Sequence, residues 1–234
     1  MQRAEPERNN ILKYNTVIFD FDGTLADTEE DVWISLEYAA SKIGCHFLDS
    51  YRTNRANLGA SEEDIFCALQ PKPSYDLYDS FWKDVREHYR SHNKFIHTRL
   101  FPGIENFLQQ CLVHNIPCYI VTLKPLSALE NILYSKGWNI YFHAWLSVDS
   151  FSESATKTQL LAFLLEKEPR LFKCVYVGDT YSDVTAARAN GIDCIGVTYG
   201  DGDVKRLEQE EPVMLVSTSN QLIKVLSEQI FSID

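Results

Sequence analysis

The chain contains several short apolar runs, and the first of them, YNTVIFD at residues 14–20, ends directly at an aspartate. Runs of similar length and character follow at residues 117–122, 173–178 and 193–198. Continuous apolar runs of this length, without alternating polar residues, are typical of strands buried on both faces of a parallel sheet. The chain is therefore expected to have a buried central sheet, with Asp20 and Asp22 at the end of one of its strands.

Segments with helical periodicity separate these runs. Helices are predicted over residues 103–115, 126–136, 156–168 and 182–190, weaker strands near 143–149 and 213–217, and an amphipathic helix at the end of the chain. Strands that alternate with helices imply a parallel sheet covered on both faces. The predicted fold class is therefore α/β, with a Rossmann-like, doubly wound parallel sheet as its core.

The segment between Thr28 and Arg99 interrupts this alternation, because it contains helical stretches and no convincing strand. Asp27 or Thr28 is expected to cap its first helix, and Ser61 a later one. A helical block of this size after the first strand predicts an insertion. The predicted domains are a flexible leader (1–12), a discontinuous α/β core (13–28 plus 100–234) and an inserted all-helical cap domain (29–99).

Composition limits the partners of the chain. Its 234 residues carry a formal net charge of −11, and nucleic-acid binding depends on neutralising phosphates with lysine and arginine, so no nucleic-acid partner is expected. No run approaches about 18 apolar residues, so no membrane span is expected. The polar N-terminus has no apolar signal core, and the six cysteines are interpreted as reduced thiols of a cytoplasmic protein. The oligomeric state is left open between monomer and homodimer.

Polar side chains follow three of the predicted strands, at the carboxyl ends where open α/β sheets bind their ligands. They are Asp20, Asp22, Thr122, Lys124, Asp179 and, one helical turn later, Asp183. Carboxylates held close together would repel and raise one another's pKa values. Mg²⁺ removes this repulsion, takes oxygen ligands and usually shares its coordination shell with phosphate. A magnesium site that receives a small phosphorylated ligand is therefore predicted.

Four segments resemble, in order, the four motifs of the haloacid dehalogenase superfamily. They are DFDGTLADT (20–28), VTLKP (121–125), SATKTQLL (154–161) and VGDTYSDVTAARANG (177–191). FPGI (101–104) resembles the point at which such chains re-enter the core after a helical cap. The resemblance covers nearly all of the chain beyond the first twelve residues, and it is specific because all four motifs occur together.

The resemblance implies a role for each matching residue. Asp20 is expected to be a nucleophile and Asp22 a general acid and base. Thr122 is expected to bind a phosphoryl oxygen, and Lys157 to offset negative charge on the nucleophile and the phosphoryl group. The aspartate at position 22 favours phosphate esters, because superfamily members that cleave carbon–halogen bonds lack an aspartate there.

The resemblance also implies metal and substrate contacts. Mg²⁺ is expected to be held by Asp20, the backbone carbonyl of Asp22, Asp179 and, directly or through its neighbours, Asp183. The residues expected near the substrate are Gly23, Thr24, Leu123 and Arg55. Two positions depart from the common pattern: Leu123 stands where many relatives have Asn, and Thr158 where many have Pro. The second departure leaves Lys124 as a competitor for the role assigned to Lys157.

Two features of the predicted cap concern the substrate. RANLG (55–59) resembles the cap loop that faces the active site in phosphoglycolate phosphatase-like members, which is why Arg55 is a candidate anion contact. The aromatic residues of the cap could instead suggest a stacking site, but their helical spacing favours the core of the cap. They are Tyr75, Tyr78, Phe81, Trp82 and Tyr89.

The function that the resemblance implies is a Mg²⁺-dependent phosphatase acting on a small-molecule phosphate monoester through an aspartyl-phosphate, closest to the phosphoglycolate phosphatase group. The alternatives within the superfamily are a sugar phosphomutase, a nucleotidase and a pyrophosphatase. A non-catalytic binding protein on the same scaffold is a further alternative, although the intact set of motif residues argues against it.

Overall fold

The structure, a computed structural model, describes residues 13–151, 155–168, 171 and 173–231, and the leader predicted for residues 1–12 lies outside them. The strands are β1 (Thr16–Phe19), β2 (Ala26–Asp27), β3 (Arg99–Leu100), β4 (Cys118–Val121), β5 (Ala144–Leu146), β6 (Cys174–Gly178), β7 (Asp193–Val197) and β8 (Met214–Val216). The α-helices are α1 (Glu29–Lys42), α2 (Asp49–Arg52), α3 (Glu62–Cys67), α4 (Tyr78–Ser91), α5 (Ile104–Val113), α6 (Leu126–Ser135), α7 (Lys157–Lys167), α8 (Tyr181–Ala189), α9 (Val204–Gln209) and α10 (Ser219–Ile230). None of these helices is both long and apolar enough to cross a membrane.

Six strands form one parallel sheet in the order β5-β4-β1-β6-β7-β8. β1 lies between β4 and β6, where Val17 pairs with Cys118 on one side and with Val175 on the other. Every residue of β1, β4 and β6 is buried, which explains why their sequences show no alternating polar positions. The chain runs outward from β1 to β5 and then continues on the other side of β1, which creates a switch point beside β1.

Helices cover both faces of this sheet. On one face, α5, α6 and α10 contribute Phe107, Leu129 and Leu226 to the larger apolar cluster. On the other face, α7, α8 and α9 contribute buried side chains such as Leu160 and Val184. The predicted fold class, a doubly wound α/β sheet with an inserted helical block, is confirmed.

The helices between residues 29 and 91, called the helical insert below, enclose an apolar cluster of their own. Trp33 and Phe66 are buried in it. Phe81 and Trp82 are buried there as the helical spacing predicts, and Tyr78 packs against the same cluster. The prediction is wrong for Tyr75, which is 62 % exposed, and for Tyr89, which packs against the larger apolar cluster of the core. The last turn of α4 has therefore left the core of the insert and reached the α/β domain.

A short antiparallel ribbon joins the insert to the core. β2 pairs with β3 through Ala26 opposite Leu100 and Asp27 opposite Arg99, so the chain enters and leaves the insert at neighbouring positions. The sequence does not reveal this ribbon, because strands of two residues carry no periodicity. The domain boundaries proposed from the sequence stay a prediction.

A buried carboxylate ties the first helix of the insert to its returning segment. Asp31 is 1 % exposed, and its Oδ2 accepts hydrogen bonds from the Thr98 amide (2.6 Å), the Thr98 hydroxyl (2.7 Å) and the His97 amide (3.1 Å). Hydrogen bonds to a buried carboxylate are charge-assisted and stronger than neutral ones. Asp31 thus joins the first helix of the insert to the segment through which the chain returns to the core.

Replacing Asp31 is expected to destabilise the chain. Asp31→Ala leaves the buried amide and hydroxyl of Thr98 and the part-buried amide of His97 without their acceptor, which costs about 3 kcal/mol of unfolding free energy. Urea denaturation of the variant measures this loss. Glu87→Ala, at an exposed position of α4, is the control and is expected to change stability by no more than about 0.5 kcal/mol. Equal stability of the two variants would contradict the role of Asp31.

Candidate active site

A cavity of about 400 Å³ lies at the carboxyl ends of β1, β4 and β6 and takes its walls from both the core and the helical insert. Of the residues predicted for the site, those that line it are Asp20, Asp22, Thr122, Leu123, Lys157 and Asp179. A larger cavity of about 580 Å³ lies at the amino ends of β1 and β4, and its described walls contain a single carboxylate, Glu168. The smaller cavity is therefore the candidate active site.

Three buried carboxylates meet on one side of this cavity. Oxygens of Asp20, Asp179 and Asp183 all lie within 4.8 Å of one another. The ammonium of Lys157 lies among them, 2.8 Å from Asp20 Oδ2 and 2.5 Å from Asp183 Oδ1. The end of β1, the end of β6 and the first turns of α7 and α8 each supply one member. The sequence-predicted residues thus converge as the sheet topology requires.

The protonation behaviour of this cluster shows an excess of negative charge. Burial raises the pKa of Asp20 to about 6, although the nearby ammonium of Lys157 lowers it. Burial and the charges of Asp20 and Asp183 raise the pKa of Asp179 to about 8. Burial alone would lower the pKa of Lys157, yet the two carboxylates that contact it raise that pKa above its usual range. One lysine is therefore not enough to balance three carboxylates.

Asp183 serves both the cluster and the helix that carries it. Its Oδ2 accepts hydrogen bonds from the amide and the hydroxyl of Thr180, at 2.9 and 2.6 Å, while its Oδ1 contacts Lys157. A carboxylate in the first turn of a helix satisfies otherwise unpaired amides. Capping and electrostatic roles are thus divided between its two oxygens.

The loop after β7 fixes the carboxylate of Asp179. Its Oδ2 accepts hydrogen bonds from the amides of Asp201 (2.8 Å) and Gly202 (3.0 Å), and its Oδ1 accepts one from the hydroxyl of Thr24 (3.2 Å). Thr24, expected near the substrate, therefore directs its hydroxyl at this carboxylate. Sequence reasoning missed the loop, although the glycines of YGDGD (199–203) indicate a close backbone approach there.

Asp22 lies outside the carboxylate cluster. Its Oδ1 is 2.8 Å from the ammonium of Lys124 and accepts a 2.6 Å hydrogen bond from the hydroxyl of Thr28. Thr28 does not cap α1 through its side chain, and Asp27 accepts a hydrogen bond from the Glu29 amide instead. Each of the two candidate lysines therefore pairs with one aspartate: Lys157 with Asp20, and Lys124 with Asp22.

Thr122 and Leu123 follow β4 at the wall of the cavity. Thr122 is 2 % exposed, its hydroxyl accepts a hydrogen bond from the Lys124 amide at 3.2 Å, and it lowers the pKa of the neighbouring Asp20 carboxyl. Leu123, at the position where an Asn was expected, is 45 % exposed and presents an apolar side chain to the cavity. The two residues after β4 thus give the cavity wall one hydroxyl and one apolar side chain.

Arg55 lies apart from the described lining of the cavity. Its guanidinium forms ion pairs with Asp27 (3.0 Å), Glu29 (3.2 Å) and Asp201. Burial raises the pKa of Asp201 to about 6, against the opposing effect of Arg55. Arg55 therefore bridges the insert to the loop that holds Asp179, and the predicted substrate contact stays a prediction.

Sequence reasoning missed one functional candidate, Arg206, and assigned another, Tyr89, to the core of the cap. Tyr89 reaches the cavity from α4 and accepts a hydrogen bond from Lys124. Arg206 lies on the cavity wall with its guanidinium carbon 3.8 Å from the centre of the Tyr181 ring. Helical spacing alone does not distinguish a residue that faces the insert core from one that faces the cavity. The short helix α9 has no motif that marks Arg206.

The family model described as haloacid dehalogenase-like hydrolase matches residues 17–197. A 5'-nucleotidase from Pseudomonas aeruginosa is 26 % identical over 223 residues, which cover 94 % of this chain and 98 % of the relative. A phosphoglycolate phosphatase from Photorhabdus laumondii is 27 % identical over 234 residues, which cover 93 % of this chain and 95 % of the relative. The chain belongs to the haloacid dehalogenase-like hydrolase family.

Solved structures share the same fold. A haloacid dehalogenase-like hydrolase from Streptococcus pneumoniae superposes with a TM-score of 0.76 at 23 % identity, covering 91 % of this chain and 98 % of that one. A structure described as a predicted phosphoglycolate phosphatase from Haemophilus somnus gives a TM-score of 0.76 at 21 % identity, covering 92 % and 99 %. The resemblance found in the sequence is confirmed, and the chain is a hydrolase with phosphatases among its relatives.

Gly23 provides a test of the site geometry. It has a φ of +70°, and a Cβ added to it would lie 2.3 Å from Asp179 Oδ2. Gly44 has a φ of +71° and no atom within 4 Å of an added Cβ. In both Gly→Ala variants the free energy of unfolding is expected to fall by about 1 kcal/mol, because alanine is strained in the left-handed backbone conformation. Gly23→Ala is expected to lose at least about 1 kcal/mol more, because the carboxylate must move. Urea denaturation compares them, and equal losses would show that Asp179 is free to shift.

Proposed function

We propose that the chain is a Mg²⁺-dependent phosphatase that hydrolyses a small-molecule phosphate monoester through an aspartyl-phosphate. The observation that carries the proposal is the separation of the two motif aspartates. Asp20 lies in the carboxylate cluster with Lys157, whereas Asp22 lies outside it on its own lysine. Two carboxylates in different environments suit two roles, nucleophile and general acid.

The carboxylate cluster fits a divalent cation. It offers oxygen donors from Asp20, Asp179 and Asp183 within 4.8 Å of one another, and Mg²⁺ requires oxygen ligands. The raised pKa values of Asp20 and Asp179 support the same conclusion, since a bound cation would offset the uncompensated negative charge. We assign these three residues, with the backbone carbonyl of Asp22, as the metal-binding set. When bound, the ion would neutralise charge on the phosphoryl oxygens.

In the first step, a carboxylate oxygen of Asp20 attacks phosphorus. The new bond forms as the bond between phosphorus and the ester oxygen breaks, and Asp22 gives a proton to that departing oxygen. The alcohol leaves, and an aspartyl-phosphate remains on Asp20. The partly exposed side chain of Asp22 on the cavity wall supports its assignment as the proton donor.

In the second step, Asp22 takes a proton from a water molecule. The water oxygen attacks phosphorus, the bond to Asp20 breaks, and phosphate leaves while the carboxylate of Asp20 is restored. Lys157 stays charged through both steps and offsets the negative charge near Asp20. The hydroxyl of Thr122 is the proposed donor to a phosphoryl oxygen. No residue changes its net proton count over the whole cycle.

We further propose that the helical insert is the cap that closes the cavity and limits the size of the substrate. Val32, Leu58 and Tyr89 of the insert line the cavity opposite the carboxylates, and a closed site excludes water from reactive groups. The volume of about 400 Å³ is in the range for small-molecule ligands. The names of the relatives, phosphoglycolate phosphatase and 5'-nucleotidase, support a small phosphorylated metabolite as the substrate.

Asp20→Asn is expected to lower kcat for phosphate release from a panel of phosphate monoesters by at least about 1,000-fold, because the nucleophile is lost. EDTA is expected to abolish the wild-type activity and Mg²⁺ to restore it. Asp193→Asn is the matched control, since Asp193 begins β7 at the opposite end of the sheet and pairs with Lys13 at 3.0 Å. Its activity should match that of the wild type.

The same assay distinguishes the alternatives. Retained phosphatase activity in Asp20→Asn would exclude the aspartyl-phosphate route. Isomerisation of a sugar phosphate without phosphate release would indicate a mutase. Absence of turnover over the whole panel, with ligands still raising the melting temperature, would indicate a binding protein.

Arg206 is the proposed contact for a negatively charged leaving group. Within the described residues that line the cavity, Lys124 and Lys157 pair with carboxylates, and no ion pair is found for Arg206. Arg206→Gln is expected to raise KM about ten-fold for esters whose leaving group carries a carboxylate, and to leave neutral esters nearly unchanged. Arg188→Gln, an exposed variant that breaks a pair with Glu210, is the control. Equal effects on both ester types would rule out this contact.

A further inference from the structure

We propose that Lys124 and Tyr89 are positioning residues that orient the carboxylate of Asp22 toward the departing oxygen of the substrate. This inference rests on the proposed function, in which Asp22 is the general acid. It assigns a separate task to the second lysine of the site. It also connects the helical insert, through Lys124, to the group that transfers the proton.

The ammonium of Lys124 is buried and therefore requires a carboxylate partner. The Lys124 side chain is 0 % exposed, and Asp22 is the one carboxylate within ion-pair distance of it in the described part of the chain. Three aromatic rings surround the ammonium, with centres at 4.8 Å (Tyr89), 5.5 Å (Phe21) and 5.6 Å (Phe95). A buried charge is costly unless it is paired. The pair therefore holds Asp22 as much as it holds Lys124.

The hydrogen bonds of Asp22 fall on one oxygen. Lys124 and Thr28 both donate to Oδ1, at 2.8 and 2.6 Å, and no described residue donates to Oδ2. The Asp22 side chain is 32 % exposed and lines the cavity. With Oδ1 held from two directions, Oδ2 is the oxygen left to exchange a proton with the leaving group or with water. General acid catalysis depends on this orientation.

The insert takes part in this orientation through a single residue. Tyr89 belongs to the last turns of α4, accepts a hydrogen bond from Lys124 and packs its ring at right angles to that of Phe95. Burial raises the pKa of Tyr89 to about 12, so the phenol stays neutral and can accept this hydrogen bond. By contrast, among the described residues the ammonium of Lys157 hydrogen-bonds to Asp20 and Asp183, both in the core. Displacing the insert would therefore disturb Asp22 while leaving the nucleophile in place.

The first test compares two leaving groups. Proton donation matters for a poor leaving group such as the alkoxide of glycerol phosphate, and little for the nitrophenolate of p-nitrophenyl phosphate. Lys124→Met is expected to lower kcat about 100-fold for glycerol phosphate and no more than about 5-fold for p-nitrophenyl phosphate, with KM nearly unchanged. Tyr89→Phe is expected to show the same selectivity with a smaller loss. A purely structural role would lower both rates alike.

Matched controls remove the same groups at positions of the insert that do not line the cavity. Lys42→Met breaks an ion pair with Asp84 at the surface, and Tyr75→Phe removes the hydroxyl of a 62 % exposed side chain. Both controls are expected to keep wild-type rates on both esters. Equal losses on the two esters in Lys124→Met, or no loss on either, would overturn the proposal.

The second test does not depend on turnover. The shift in melting temperature caused by Lys124→Met is measured in the wild type and in Asp22→Asn. Without the carboxylate, the buried ammonium is a liability, so Lys124→Met is expected to lower the melting temperature in the wild type and raise it in Asp22→Asn, a difference of at least about 5 °C. Equal shifts in both backgrounds would overturn the positioning role. Absence of activity in the wild type would refute the proposed function alone.

Discussion

Three buried carboxylates meet at the carboxyl edge of the sheet, and two of them, Asp20 and Asp183, contact the ammonium of Lys157. Like charges at this separation repel strongly away from water, so each carboxylate needs its own support. Asp183 is held by Thr180, Asp179 by the amides of the loop after β7, and Asp20 by Lys157. The sheet brings strand ends together, but these individual contacts allow the charges to stay together.

The arrangement also separates the two aspartates that the sequence places side by side. Asp20 faces the carboxylate cluster, and Asp22 faces Lys124 and Thr28. A single strand end thus presents two carboxylates to one cavity in different electrostatic surroundings. Environments of this kind allow two identical groups to carry out different chemical tasks.

The sequence predicts the central strands and the motif residues well for a physical reason. Strands buried on both faces carry their signal in every residue, and the topology then brings Asp20, Thr122 and Asp179 to one edge. The ring of Tyr89 could not be placed in this way, because α4 has the same period whether a residue faces the insert or the core. The partners of Arg55 were equally hidden, since Asp201 is 146 positions away along the chain. The sequence does not show which aspartate Lys124 or Lys157 contacts. In the structure, Lys124 pairs with Asp22 and Lys157 with Asp20.

The ribbon of β2 and β3 has a consequence for how proteins of this architecture diversify. Because Ala26 and Leu100 are paired neighbours, the segment between them can be exchanged for another of different length without moving any strand of the sheet. The cluster around Lys157 lies wholly on the core side of that junction. Exchange at this point would replace the cavity walls that the insert supplies. It would also replace Thr28 and Tyr89, which contact Asp22 and Lys124, while Asp20, Asp179 and Asp183 stay on the core side of the junction.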